Sequence, residues 1–316
     1  MTQVLTKGWG LSQKLREYLP TVYERYGPLN ARQYAYRAEV EKIIAKKDFD
    51  RVDEILVELR ECNVIPWSGV LDASRDFDPY LVSNSGNPES YVKYAMEQFR
   101  GLPDNFDLPL WQNQPIIPVI FSEKEGLIPY FEIVTKRRAV SIYAQKGQVG
   151  KSHLHEVVIP WINELIEEEG RKIQILYLGD SDDEGYQIPL TLVETMEKWG
   201  FTVEYNTHDL FAIGTSEVYN NGANIRFRRL ALKPPQVESM GLPTVEVNQK
   251  SSIANKFVES KCELEAMEPD VLRGIIEGAI DEYWNEDAEQ ERVKKAKEMR
   301  ESIEDWITEL SKGWPT

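Results

Sequence analysis

The chain has 316 residues, 41% of them hydrophobic and 10% aromatic, enough to bury the core of one large domain or two modest ones. Acidic residues outnumber basic ones 53 to 37, giving a net charge of -16, which argues against indiscriminate nucleic-acid binding because phosphate contacts need concentrated Lys and Arg. There is no run of about eighteen apolar residues and no basic, apolar leader over residues 1–19, so no membrane span or signal peptide is expected and a cytoplasmic protein is the default.

In chain order, Leu11, Leu15, Tyr18, Leu19 and Val22 keep helical spacing, with Pro20 expected to end the first helix. Pro28 and Asn30 mark a turn and an N-cap. A second helix over 31–47 and a third over 50–62, with Val52, Ile55, Leu56 and Leu59 on one face, read as helix-turn-helix. Extended pieces over 70–75 would form the wing of a winged-helix domain spanning 1–80. Residues 81–110, rich in turn formers, read as a linker with one helix near 91–99.

From Trp111 the pattern changes. Apolar runs at 116–121, 139–144, 173–178, 202–205 and 225–232 alternate with helical stretches at 153–168 and 189–199, the α/β signature of a mostly parallel sheet. This domain spans 111–283, with a further helical region beginning near 251–258. A charged helix over 286–310 follows in the segment 284–316, with Val293, Ala296, Met299, Ile303, Trp306 and Ile307 as its apolar face.

Two of these runs end alike. The first delivers Glu123 into a glycine-bearing turn, and the run ending at Leu178 delivers Asp180 and Asp182 into another. Ligands gather at the carboxyl ends of parallel strands, so the three carboxylates could surround one point, where a hard divalent cation would remove their mutual repulsion. The alternative is a pair of ordinary turns with solvated acids.

A second constellation lies in 30–37, where Tyr34 and Tyr36 interleave with Arg32 and Arg37. A phenol, with a reference pKa of about 10, becomes a nucleophile only with cations or a metal nearby, and arginine neighbours suit that. The alternative places one tyrosine in the core and the other over surface.

Other features carry less. Gly147 to Ser152 imitates a P-loop, but Gln145 stands where a Walker A loop has its first glycine, so no ATP site is expected and Lys146 and Lys151 read as a phosphate-facing basic loop. Lys136–Arg138 and Arg226–Arg229 are further basic clusters. Cys62 and Cys262 lack metal-ligand spacing and read as reduced and structural, His153 and His155 read as surface or packing residues, and Glu263 and Glu265 are assigned no chemistry.

Glu123-Lys124-Glu125-Gly126 followed by Gly179-Asp180-Ser181-Asp182-Asp183-Glu184-Gly185 resembles the toprim fold, a Rossmann-like metal-binding domain of topoisomerases, primases and nucleases. Arg32 standing four residues before Tyr36 resembles the winged-helix segment of the topoisomerase VI A subunit and the related meiotic double-strand-break transesterase. Arg60, Ile65-Pro66-Trp67, Asp72-Ala73-Ser74-Arg75, Trp111, Gln114-Pro115 and Cys262 to Met267 with Pro269 look like segments of small stand-alone relatives of that subunit in mobile elements and prophages. The likeness runs from about Leu29 to Tyr283. Asn30 in place of a threonine cap, Ala35 in place of an aromatic, and the added acids Asp183 and Glu184 depart from the pattern.

The resemblance implies an α/β chain in which an N-terminal winged helix precedes a Rossmann-like toprim domain with a helical extension. It implies magnesium, or manganese, at Glu123, Asp180 and Asp182, and a nucleophilic Tyr36 assisted by Arg32 and Glu123. Arg37, Lys124, Lys146 and Lys151 would contact double-stranded DNA. A homodimer would bring one chain's tyrosine to the other's metals, and because no ATPase domain is present a separate ATPase subunit would drive any strand passage. The alternatives are a toprim nuclease using water and a non-catalytic DNA- or partner-binding factor of a mobile element.

Overall fold

The computed structural model describes residues 10–71, 88–144, 158–168, 170–211, 217–218, 223–246, 258 and 260–312. Its helices, in chain order, are α1 (Leu11–Tyr26), α2 (Ala31–Val40), α3 (Phe49–Glu61), α4 (Pro88–Arg100), α5 (Leu102–Asn105) and α6 (Ile128–Arg138). They continue with α7 (Ile159–Asn163), α8 (Asp183–Lys198), α9 (Thr207–Phe211), α10 (Pro234–Met240), α11 (Pro269–Asp281) and α12 (Glu286–Leu310). The strands are β1 (Leu29–Asn30), β2 (Val70–Leu71), β3 (Ile116–Ser122), β4 (Ser141–Ala144), β5 (Lys172–Leu178), β6 (Val203–Asn206), β7 (Glu217–Val218), β8 (Ile225–Ala231), β9 (Val245–Glu246) and β10 (Ser260–Lys261). The chain divides into two compact units, Met1–Arg75 with Ile116–Tyr283, and Asp76–Pro115 with Trp284–Thr316.

The first unit is mixed α/β, the class its alternating pattern predicts. Its main sheet has the order β4-β3-β5-β8-β6-β7, and every pairing is parallel except that of β7 with β6. β3 and β5 are buried along almost their whole length, and their unbroken apolar runs are what a central parallel strand covered on both faces requires. Ser122 pairs with Leu178, so both strands end at one level. From β3 the chain leaves toward β4 on one side, while β5 lies on the other. The crevice beyond Ser122 and Leu178 is therefore a topological switch point, where open α/β sheets bind ligands.

The helical N-terminal part belongs to this same compact unit. α1 runs through Pro20 instead of stopping there, because Leu15, Leu19, Val22 and Tyr26 form one buried stripe across it. Burial of a large apolar side chain contributes about 1.5–3 kcal/mol, so four together outweigh the roughly 3 kcal/mol of an interior proline. Asn30 caps α2 as expected: its side chain accepts from Gln33 N while Gln33 reaches back to Asn30 N. α2 stops at Val40, well short of residue 47, where Lys42 turns left-handed at φ 57° and Ile43 N closes onto Ala38 O. β1 and β2 pair in parallel, and Asp72 to Arg75, the rest of the expected wing, lie outside the described residues, as do 251–257.

In the second unit, residues read as a linker carry α4 and α5, and α5 packs with α12. Gln114 Nε2 donates to Asn285 O at 3.0 Å while its Oε1 accepts from Asn285 N at 2.7 Å. Arg292 donates to Asp107 Oδ1 at 2.8 Å and Arg300 Nε to Phe106 O at 2.6 Å. The apolar face that spacing predicts for α12 is covered only in part: Ala296 and Ile307 are buried, as is Arg292, and Ile303 is half-buried, whereas Val293, Met299 and Trp306 are exposed. No helix among the described residues is long and apolar enough to cross a membrane.

Candidate functional site

At the switch point, Glu123 follows β3 and its main-chain N–H continues the ladder to Leu178 O at 2.9 Å. Its Oε2 accepts from Asp180 N at 3.0 Å, so the two acids meet as the register predicts. Asp180 is 5% exposed, and both its oxygens are engaged: Leu264 N donates to Oδ1 at 2.9 Å, and Lys124 Nζ lies 2.5 Å from Oδ2. Asp182 has a different employment. Its Oδ1 accepts from Gly185 N at 2.8 Å, making it the N-cap of α8, and its Oδ2 faces Lys261 Nζ at 3.7 Å. Among the described residues no three such side chains converge on one point as they stand.

The 179–185 turn is shaped by close approaches. A Cβ on Gly185 would fall 2.2 Å from Asp180 O, and one on Gly179 would fall 2.7 Å from the Tyr177 ring and 2.9 Å from Glu123 Oε2. Pro189 sits inside α8 and, lacking an N–H, leaves Gly185 O without its usual helical donor. Arg229 Nη1 supplies one at 2.7 Å. Arg229 also donates to Leu232 O, Gly179 O and Asp180 O, is 0% exposed, and lies 3.9 Å over the Tyr186 ring. The residue that closes the sequence's basic cluster is thus internal scaffold.

The turn also pairs with a distant segment. Ser181 and Cys262 exchange main-chain hydrogen bonds of 2.9 and 3.1 Å, bringing Glu263 and Glu265 to the site. Glu265 is 4% exposed, and its Oε2 has no hydrogen-bond partner among the described residues. Glu263 accepts from Arg32 Nε at 2.7 Å and from Lys46 Nζ at 2.5 Å. Neither glutamate stands out in the sequence; the signal that could have found them is the Glu-x-Glu in 262–267, and only the Ser181–Cys262 pairing reveals its destination.

Tyr36 lies on the other side of Glu263. Its ring packs edge-on to Phe49 at 5.0 Å, with Lys46 Nζ 5.8 Å from its centroid. The hydroxyl is buried without a hydrogen bond of ordinary geometry, though close enough to Glu263 to feel its charge. Tyr34, by contrast, donates to Gly69 O at 2.9 Å and is a core residue. A cleft of about 330 Å³ is lined by Tyr36, Lys46, Asp180, Asp182, Lys261 and Glu263. The tyrosine and the acids therefore share a cleft within one chain.

Burial pushes the Glu123 carboxyl up to about 7, with Asp180 adding to the shift and Lys124 opposing it. Burial likewise raises Asp180 and Glu265. For Glu263 burial works upward, but Lys46 and Arg32 outweigh it and hold the carboxyl at about 2. The Tyr36 phenol is raised well above its ordinary value, first by burial and then by Glu263, against the pull of Arg32. Of the two arginines expected to activate it, Arg32 is paired with that carboxylate and Arg37 is turned to Ala266 O.

The expected DNA contacts fare unequally. Arg37 is 6% exposed and donates to Ala266 O, so it ties α2 to the 264–266 turn rather than facing a ligand. Lys124 is committed to Asp180. Lys146 and Lys151, with the P-loop-like 147–152, lie outside the described residues.

Glu123, Asp180 and Glu265 carry oxygen donors of the kind a hard cation takes, though they do not converge as they stand. Glu265 Oε2 has no hydrogen-bond partner among the described residues, while its Oε1 lies 4.0 Å from Arg32 Nε, and Lys124 brings positive charge to Asp180. Comparison of the chain with protein-family models, curated proteins and solved structures finds no match.

Proposed function

We propose that the chain is a DNA-processing protein of the topoisomerase VI A-subunit type, in which α1 to α3 and the β1–β2 pair act as a winged helix and the β3–β8 sheet as a toprim domain. The observation that carries this reading is the common cleft: Tyr36, Asp180 and Asp182 line one cavity at the sheet's switch point. Double-stranded DNA is the substrate. Glu123 and Asp180, with Asp182 and Glu265 beside them, would hold a magnesium or manganese ion, which when bound supplies charge neutralisation at a phosphate.

Within this reading the Tyr36 oxygen attacks a backbone phosphorus, forming a 5′-phosphotyrosyl bond as the bond to the 3′ oxygen breaks. The phenol gives up its proton and the leaving oxygen gains one. Arg32 and Lys46 bring positive charge to the phosphate, and Phe49 fixes the phenol ring. One tyrosine cuts one strand, so a double-strand break requires a second copy of the chain, and strand passage a separate ATPase subunit.

The test is to incubate the protein with manganese and end-labelled duplex, quench with detergent, digest the DNA and measure label held on protein. Label lost in Tyr36→Phe and kept in Tyr34→Phe is the expected result. A second reading, a nuclease in which water attacks, is favoured by the raised, buried Tyr36 phenol. Nicking that survives Tyr36→Phe without covalent label would establish it.

A further inference from the structure

The Arg32–Glu263–Lys46 group is unevenly built. Two cations converge on one carboxylate, Arg32 Nε at 2.7 Å and Lys46 Nζ at 2.5 Å, on different oxygens. The cations come from α2 and from the 46–48 turn, while Glu263 comes from a segment more than two hundred residues away in sequence. The cation side chains are 49% and 43% exposed, whereas Glu263 is 18% exposed, so solvent reaches the pair from outside with the carboxylate seated beneath. Half-exposed ion pairs of this kind contribute little to stability, so folding alone does not account for such convergence. A guanidinium fork beside an ammonium is the donor set that recognises a phosphate.

We infer that Arg32 and Lys46 form an oxyanion site for a DNA backbone phosphate, and that Glu263 occupies it in the free protein as an intramolecular carboxylate stand-in. This rests on the DNA-processing reading and adds to it a substrate-dependent release. A phosphate entering between Arg32 and Lys46 displaces Glu263, and the charge that faces the Tyr36 hydroxyl leaves with it. The cleft wall formed by Glu263 then opens beside Tyr36, Asp180 and Asp182. Lys261, 45% exposed and 3.7 Å from Asp182, stands on the same cleft and extends the positive rim.

The experiment titrates the full chain, in low-chloride buffer with chelator, with inorganic phosphate by calorimetry and with a labelled 20-base-pair duplex by anisotropy. Glu263→Gln removes the competing charge while keeping the side chain's shape. It should bind both probes about tenfold more tightly than the parent, and adding Arg32→Gln should abolish the gain. Glu263→Asp, which draws the carboxylate back by one methylene, should fall between. Equal or weaker binding of both probes by Glu263→Gln overturns the inference. Should the Glu263 variants not fold, the parent decides: the Arg32 Nε–H resonance, assigned by its loss in Arg32→Gln, should shift saturably with phosphate, and a static resonance overturns the site. Tighter phosphate binding with no duplex binding in any variant would keep the anion site and remove the DNA reading. Duplex binding indifferent to residue 263 would do the reverse.

Discussion

Lys124 Nζ lies 2.5 Å from Asp180 Oδ2, beneath the same carboxyl whose other oxygen is fixed by Leu264 N. In the proposed function a divalent ion is held by Glu123 and Asp180, and the ammonium already occupies Asp180 Oδ2; burial lowers its pKa, but Asp180, Glu265 and Glu123 together raise it. Lysine and metal are then competitors. Lys124→Met should raise manganese affinity about tenfold by calorimetry. It should also lower metal-free stability by about 2–3 kcal/mol, because it leaves a buried carboxylate unpaired. Unchanged affinity with lowered stability would make Lys124 a structural partner only.

Glu123 gives the acidic site a pH signature. Its folded carboxyl is raised to about 7 from an ordinary 4.5, first by burial and then by Asp180. Over that interval the folded state holds more protons than the unfolded one, so stability falls as pH rises from about 4.5 through 7 and levels off above. Each pKa unit is worth about 1.4 kcal/mol, and with the shift shared with Asp180 the loss should be about 2 kcal/mol. Urea unfolding at pH 5 and pH 8 in chelator should show it. Glu123→Gln, whose amide oxygen can still accept from Asp180 N, should flatten the profile and be the more stable protein at pH 8.

Glu263 should act with the opposite sign. Its carboxyl is held at about 2 by Lys46 and Arg32 against the effect of burial, so its contribution is present above the unfolded pKa and disappears as pH falls from about 4.5 through 2. Both cations are about half exposed, so screening limits the effect to about 1 kcal/mol. Acid unfolding of Glu263→Gln compared with the parent, at low and high salt, should show a difference that salt diminishes.

What could be read in the sequence followed from local periodicity. The unbroken apolar runs of β3 and β5 announce buried parallel strands, and the turns after them announce where Glu123 and Asp180 stand. The Asn30 cap of α2 is equally local. Asp182 is less legible because one aspartate can cap a helix or hold an ion, and only the observed start of α8 shows that Oδ1 accepts from Gly185 N. Arg37 misleads because a basic residue beside tyrosines looks surface-bound, whereas six consecutive residues of α2 are buried. Glu263, Glu265 and Lys46 depend on contacts between remote segments, and no spacing rule reaches that far.

The scaffold of the site yields the last prediction. Arg229 is fully buried, and its hydrogen bonds go to the main-chain oxygens of Gly179, Asp180, Gly185 and Leu232. Its planar fork is needed because lysine has three donors and cannot lie flat on the Tyr186 ring. Arg229→Met should therefore destabilise the protein by about 3–5 kcal/mol through carbonyls left dry and unpaired, seen as a lower urea midpoint at unchanged slope. One of those carbonyls, Gly185 O, needs Arg229 because Pro189 cannot donate to it. Pro189→Ala restores that N–H, and in the Arg229→Met background it should recover about 1 kcal/mol more than it contributes in the parent. Additive effects in this double-mutant cycle would show that the Arg229–Gly185 bond does not replace the missing helical one.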